Sequence, residues 1–86
     1  MPSPSKKIAL QGVFAENVRV ERARRQWSQE QFAEIAGLTR SYVSKLELGK
    51  VNATLELVAR IAEGLGLEPY QLLMHSSPQA VRGTKG

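Results

Sequence analysis

Leu10, Phe14 and Val18 recur at every fourth position near the start of the chain. Leu55, Val58, Ile61, Ala62 and Leu65 follow the i, i+3, i+4 spacing of a helix with one apolar face. No stretch between them alternates apolar and polar residues as a half-buried strand would, so the pattern predicts an all-α fold. The first helix is expected from about Leu10 to Arg25. Ser28, with Gln31 three residues on, reads as a capping box, and Trp27 and Phe32 occupy the flanking positions of a hydrophobic staple, so a second helix starts at Gln29. It carries Phe32, Ile35 and Ala36 on one face and stops at Gly37, which can take the left-handed conformation that ends a helix. Leu38 fills the connection and Thr39 caps a third helix, Arg40 to Leu48, closed by Gly49. A fourth helix is expected from near Thr54 to Glu63 or Gly64, and a fifth from Pro69, suited to a first turn, to Met74. Residues 1–9 are expected to form a flexible arm and residues 75–86, too polar to pack, a disordered tail.

A chain of 86 residues fits one domain and leaves no room for a binding domain beside a separate catalytic one. It has no cysteine, which excludes disulfides and thiolate metal sites and leaves apolar packing to build the core. No apolar run is long enough to span a bilayer, and the first seven residues lack the apolar stretch of a signal peptide, so a soluble, cytoplasmic protein is expected, without membrane contact. The net charge is +4, and residues 6–50 hold nine basic and five acidic side chains while residues 51–86 balance. An excess confined to one part of a small domain suits a polyanion, because counterion release adds affinity there. His75 stands alone, and no nucleophile–base pair, metal-ligand cluster or phosphate-cradling glycine loop occurs, so no enzyme activity, metal, cofactor or small-molecule ligand is expected.

Residues 28–49, SQEQFAEIAGLTRSYVSKLELG, have the organisation of a helix-turn-helix: a short scaffold helix, a glycine turn and a second helix offered to the DNA major groove. Placing the third helix at about 100° per residue puts Val43 and Leu46 on its buried side. Ser41, Ser44, Lys45 and Leu48 then point away, with Arg40 at the edge and free at the N-terminus. Arg40, Ser41, Ser44 and Lys45 are thus candidates for reading base edges: arginine can grip guanine through two hydrogen bonds, and serine donates or accepts. The N-terminus of the second helix, with Ser28 at its cap and Gln29 at its first position, offers donors for a phosphate.

The combination of Ser28-Gln29-Glu30, Ala33 before Gly37, Arg-Ser-Tyr-Val-Ser at 40–44, Leu46-Glu47 and Gly49-Lys50 closely resembles the phage-repressor/Cro-like (Xre) family, over about Leu10 to Met74. The resemblance implies a compact five-helix, lambda-repressor-like DNA-binding domain with the helix-turn-helix in helices two and three. It implies that Gln29 grips the DNA backbone and that Tyr42 and Asn52 match phosphate-contact positions of similar restriction–modification controller proteins. Tyr42 also suits a half-buried packing role, and Lys50 joins the phosphate set as a loop cation. The resemblance further implies an ion pair between Arg22 and Glu47. Two residues depart from the family pattern, Glu21 where an apolar residue is common and Gln26 where glycine is.

Leu65, Leu67, Tyr70, Leu73 and Met74 exceed what so small a core requires and form a candidate interface for a homodimer. Pairing would supply both core and reading length, because one recognition helix reads too few bases for operator-level specificity. The expectation is a transcriptional regulator of double-stranded DNA, with restriction–modification control as a narrower form. The alternative is an antitoxin or adaptor whose main partner is another protein, although the polar tail offers no apolar segment for one.

Overall fold

The structure, a computed structural model, describes the backbone of residues 4–74 and the side chains of residues 10–74. Four α-helices follow one another: α1 (Pro4–Arg24), α2 (Gln29–Ala36), α3 (Arg40–Glu47) and α4 (Leu55–Leu65). A 3₁₀ helix (Pro69–Leu72) comes last among the described residues. The start of α1 at Pro4 rather than Leu10 corrects the expected arm over residues 4–9, which are helical. Proline has no N–H to lose in a first turn, and nothing between Pro4 and Leu10 breaks a helix. Residues 1–3 of that arm, His75 and the expected tail over 75–86 lie outside the described residues.

Local chemistry sets the helix starts. Ser28 Oγ accepts from the Gln31 N–H at 3.0 Å while the Ser28 N–H donates to Gln31 Oε1 at 2.8 Å, and the Trp27 and Phe32 rings stack 6.3 Å apart. Thr39 and Thr54 cap α3 and α4 in the same manner, each hydroxyl accepting an N–H three residues on. The helix ends share one device. After each, an N–H reaches back five residues, Trp27 to Arg22, Leu38 to Ala33, Lys50 to Lys45 and Leu67 to Ala62, around a residue with positive φ. At three of those positions the residue is Gly37, Gly49 or Gly66; at the end of α1 it is Gln26, with φ 60°. A side chain there crowds the following carbonyl, so Gln26→Gly is expected to stabilise the fold by about 0.5–1 kcal/mol in urea denaturation. A loss of stability would show that the Gln26 side chain contributes more than its backbone strain costs.

The core joins Phe14 and Val18 of α1, Phe32, Ala33 and Ala36 of α2, Val43 and Leu46 of α3, Val58, Ile61, Ala62 and Leu65 of α4, and Leu72 of the 3₁₀ helix. Several expectations are corrected here. Ile35 is exposed: α2 packs on both α3 and α4, which turns its buried arc toward Ala33. Leu10 and Leu55 begin their apolar stripes beyond the reach of the core and are also exposed. The fourth helix passes through Gly64, which lies close against Ile35 and Ala36 of α2, and ends at Gly66. The fifth helix is a single 3₁₀ turn rather than a helix to Met74, and Asn17 of α1 holds its end by donating to the carbonyls of Leu72 and Met74. Leu65, expected between two copies, is only 4% exposed and belongs to the core of one. Leu67 and Leu73 are half-buried against that core, whereas Tyr70 and Met74 remain exposed. No helix among the described residues is long and apolar enough to cross a membrane.

Candidate nucleic-acid interface

α2 and α3 pack directly on each other, and α1 crosses behind α3. With Val43 and Leu46 buried, Arg40, Ser41, Lys45 and Leu48 are exposed along α3, and Ser44 is half-buried at the margin of that side. The only acidic residue of α3, Glu47, is turned inward, its side chain 4% exposed. The outward side of α3 therefore presents cations, a hydroxyl and an apolar residue with no carboxylate among them, as a helix facing bases and phosphates requires.

Glu47 holds this helix in place. Its Oε2 accepts from Arg22 Nε at 2.6 Å, and its Oε1 accepts from Arg22 Nη2 at 3.0 Å and from Gln29 Nε2 at 3.0 Å. Arg22 also donates through Nη1 to the Trp27 carbonyl at 2.8 Å. One carboxylate thus ties α1, the first residue of α2 and the last residue of α3 together. The hydrogen bond to Glu47 raises the Arg22 pKa, with the Glu47 charge adding to it and burial opposing. The guanidinium is charged at every pH at which the fold operates.

The expected phosphate donors occupy different situations. Gln29, half-buried at the first position of α2, spends one amide hydrogen on Glu47, and the other has no acceptor among the described residues. Ser28 uses its oxygen as an acceptor in the cap, which leaves its hydroxyl hydrogen to donate outward. Tyr42 is half-buried against the core and lines a shallow groove with Thr39, Thr54, Leu57 and Arg60. Lys50 is exposed, and its backbone N–H closes the end of α3 on the Lys45 carbonyl. Asn52, exposed on the loop after α3, accepts from Gln11 of α1. The structure brings Arg22, Gln29 and Glu47 into one cluster and leaves Tyr42, Lys50 and Asn52 separate from it.

Three residues with structural consequences were not among the expected ones: Gln11, Asn17 and Arg25. Gln11 donates to the Val51 carbonyl at 3.0 Å, and Asn17, 3% exposed, donates to the carbonyls of Leu72 and Met74, both at 2.8 Å. Arg25 joins the end of α1 to the Leu65 carbonyl at 2.7 Å and lies over the Trp27 ring. Gln11 and Asn17 each stand three residues from Phe14, on the apolar stripe of α1. A polar amide at a core position is itself a signal, since it must find partners when buried.

Comparison with known proteins matches residues 18–72 to the family model described as helix-turn-helix. The chain is 42% identical over 65 residues to a hypothetical transcription factor of Neisseria meningitidis serogroup B, a match spanning 76% of this chain and 61% of that protein. It is 39% identical over 64 residues to the control protein C.SmaI of Serratia marcescens, covering 74% of this chain and 76% of the relative. The crystal structure of the restriction–modification controller protein C.AhdI from Aeromonas hydrophila superposes with a TM-score of 0.70 at 35% identity, over 76% of this chain and 94% of that one.

Proposed function

Because the chain belongs to the helix-turn-helix family, with the phage-repressor/Cro-like (Xre) fold of DNA-binding regulators, we propose that it is a transcriptional regulator acting as a homodimer on a pseudo-palindromic operator. The observation that carries this reading is the exposed side of α3, which is free of carboxylates because Glu47 is drawn inward to Arg22. Arg40, Ser41, Ser44 and Lys45 read bases in the major groove, with Arg40 gripping a guanine. Ser28, Gln29, Tyr42, Lys50 and Asn52 hold phosphates on either side and set the register. The exposed Tyr70 and Met74, flanked by Leu67 and Leu73, form the surface through which two copies pair. Its likeness to two controller proteins supports restriction–modification control as the setting.

Selection of bound sequences from a random duplex pool tests the reading. Two inverted half-sites about 10 base pairs apart are expected, as two recognition helices about 34 Å apart would require. Arg40→Ala should flatten the base preference within each half-site by roughly 1–3 kcal/mol of discrimination, while Gln29→Ala should weaken binding about equally on all sequences. A wild-type site with one unrepeated half, or an unchanged preference after Arg40→Ala, would overturn the assignment.

A further inference from the structure

Gln11 lies on α1, far in sequence from the loop that follows α3, yet its Nε2 reaches two groups there: the Val51 carbonyl at 3.0 Å and Asn52 Oδ1 at 3.1 Å. A backbone carbonyl can only accept, so the Val51 oxygen fixes which end of the Gln11 amide faces the loop. That end is a donor. It in turn fixes the Asn52 amide, because turning Asn52 round would set one NH₂ group against another. Asn52 Oδ1 is therefore held inward and Nδ2 outward. Asn52 is exposed, and among the described residues nothing accepts from its Nδ2, so both hydrogens are left for a partner outside the protein. An anion needs this polarity; the opposite one would offer it an oxygen.

We infer that Gln11 is a positioning residue for DNA binding: it touches no phosphate itself and sets the Asn52 amide so that its NH₂ meets one. The inference rests on the reading of Asn52 as a phosphate contact. It assigns to α1, outside the helix-turn-helix, a part in the affinity for DNA of any sequence. The Val51 bond makes the arrangement directional, since without it the two amides could exchange donor and acceptor together.

The test uses the full chain and a labelled random-sequence duplex at low salt, because phosphate contacts act on every sequence and weaken as salt rises. Asn52→Ala is expected to weaken binding roughly 10-fold, the loss of one hydrogen bond to a charged group. Gln11→Met keeps the length and removes the donor; by releasing the orientation of Asn52 it should weaken binding about 3-fold. In the Asn52→Ala background the same change should have no effect. A second variant, Gln11→Glu, offers only acceptors and turns the Asn52 amide round, so its loss should shrink in the Asn52→Ala background to that of the added charge. Equal losses from Gln11→Met and from Gln11→Glu in both backgrounds would mean that Gln11 only supports the fold, overturning the inference. Unchanged binding after both Gln11 substitutions, with Asn52→Ala still weak, would overturn it while leaving Asn52 as a phosphate contact. Unchanged binding after Asn52→Ala would remove that contact and the inference with it.

Discussion

Glu47→Ala is expected to lower the stability of the domain by about 3 kcal/mol, while Glu16→Ala, which breaks the Arg19–Glu16 pair, should cost between about 0 and 1 kcal/mol. The shortest nitrogen–oxygen distance is 2.6 Å in both pairs, but only Arg22 grips its carboxylate through two bonds, and the surroundings differ. Arg19 and Glu16 are 48% and 54% exposed, so water takes over when either is removed. Arg22 and Glu47 are 16% and 4% exposed, and removal of the carboxylate leaves a guanidinium with its partner gone and Gln29 without its acceptor. The pH dependence follows from the Arg22 shift. Its pKa is raised on folding, so the part of the stabilisation linked to the Arg22 charge is fully present below the pKa of the unfolded chain and is lost as pH rises through the folded value, in strong alkali. Urea denaturation of the two variants across neutral pH checks this, and a Glu47→Ala cost below about 1 kcal/mol would show that the cluster behaves as a surface pair. The consequence reaches the proposed DNA face, because the same carboxylate holds the end of α3 against the start of α2.

The second large effect is expected at Asn17. Its amide donates both hydrogens, to the Leu72 and Met74 carbonyls, and Leu72 itself is fully buried. Asn17→Ala removes both donors and leaves at least one buried carbonyl without a partner, at a cost of about 2–4 kcal/mol. Asn17→Asp should be no milder at neutral pH, because a carboxylate would face two carbonyl oxygens in a dry site. Amide exchange offers a sharper readout than global stability: the N–H groups of residues 71–73 should lose protection in Asn17→Ala well before those of α2 and α3. Uniform loss across the domain would mean that Asn17 supports the fold as a whole and does not anchor the 3₁₀ helix in particular. That anchor also bears on the proposed pairing, since it holds the segment carrying Tyr70 and Met74 against α1.

What could be read directly from the chain is what depends on neighbours a few residues apart. The Ser28–Gln31 cap, the Trp27–Phe32 staple and the stop at Gly37 involve separations of five residues or fewer, and their energetics hardly depend on the rest of the molecule. The buried side of α3 was equally legible, because Val43 and Leu46 leave only one way to turn a short amphipathic helix toward a core. The same reasoning went astray where helical period alone could not locate the packing partners. Ile35 lies beside Gly64 of α4 and stays exposed, and Leu65 is buried within one copy, on a helix against which the 3₁₀ helix packs.

The polar contacts that tie the helices to one another belong to the tertiary structure. Gln29 meets Glu47 across 18 residues, Arg22 meets Glu47 across 25, Gln11 meets Asn52 across 41 and Asn17 meets Leu72 across 55. Family resemblance pointed to the Arg22–Glu47 pair, but no periodicity or spacing within the chain did. A hydrogen bond needs its donor and acceptor within about 3 Å and well aligned, and at such separations only the packing of the helices on one another supplies that precision. The chain by itself determined that there would be short capped helices, a glycine turn and a cationic α3. Which amides would find which acceptors, and so which donors would be left facing outward, was decided by how those helices pack.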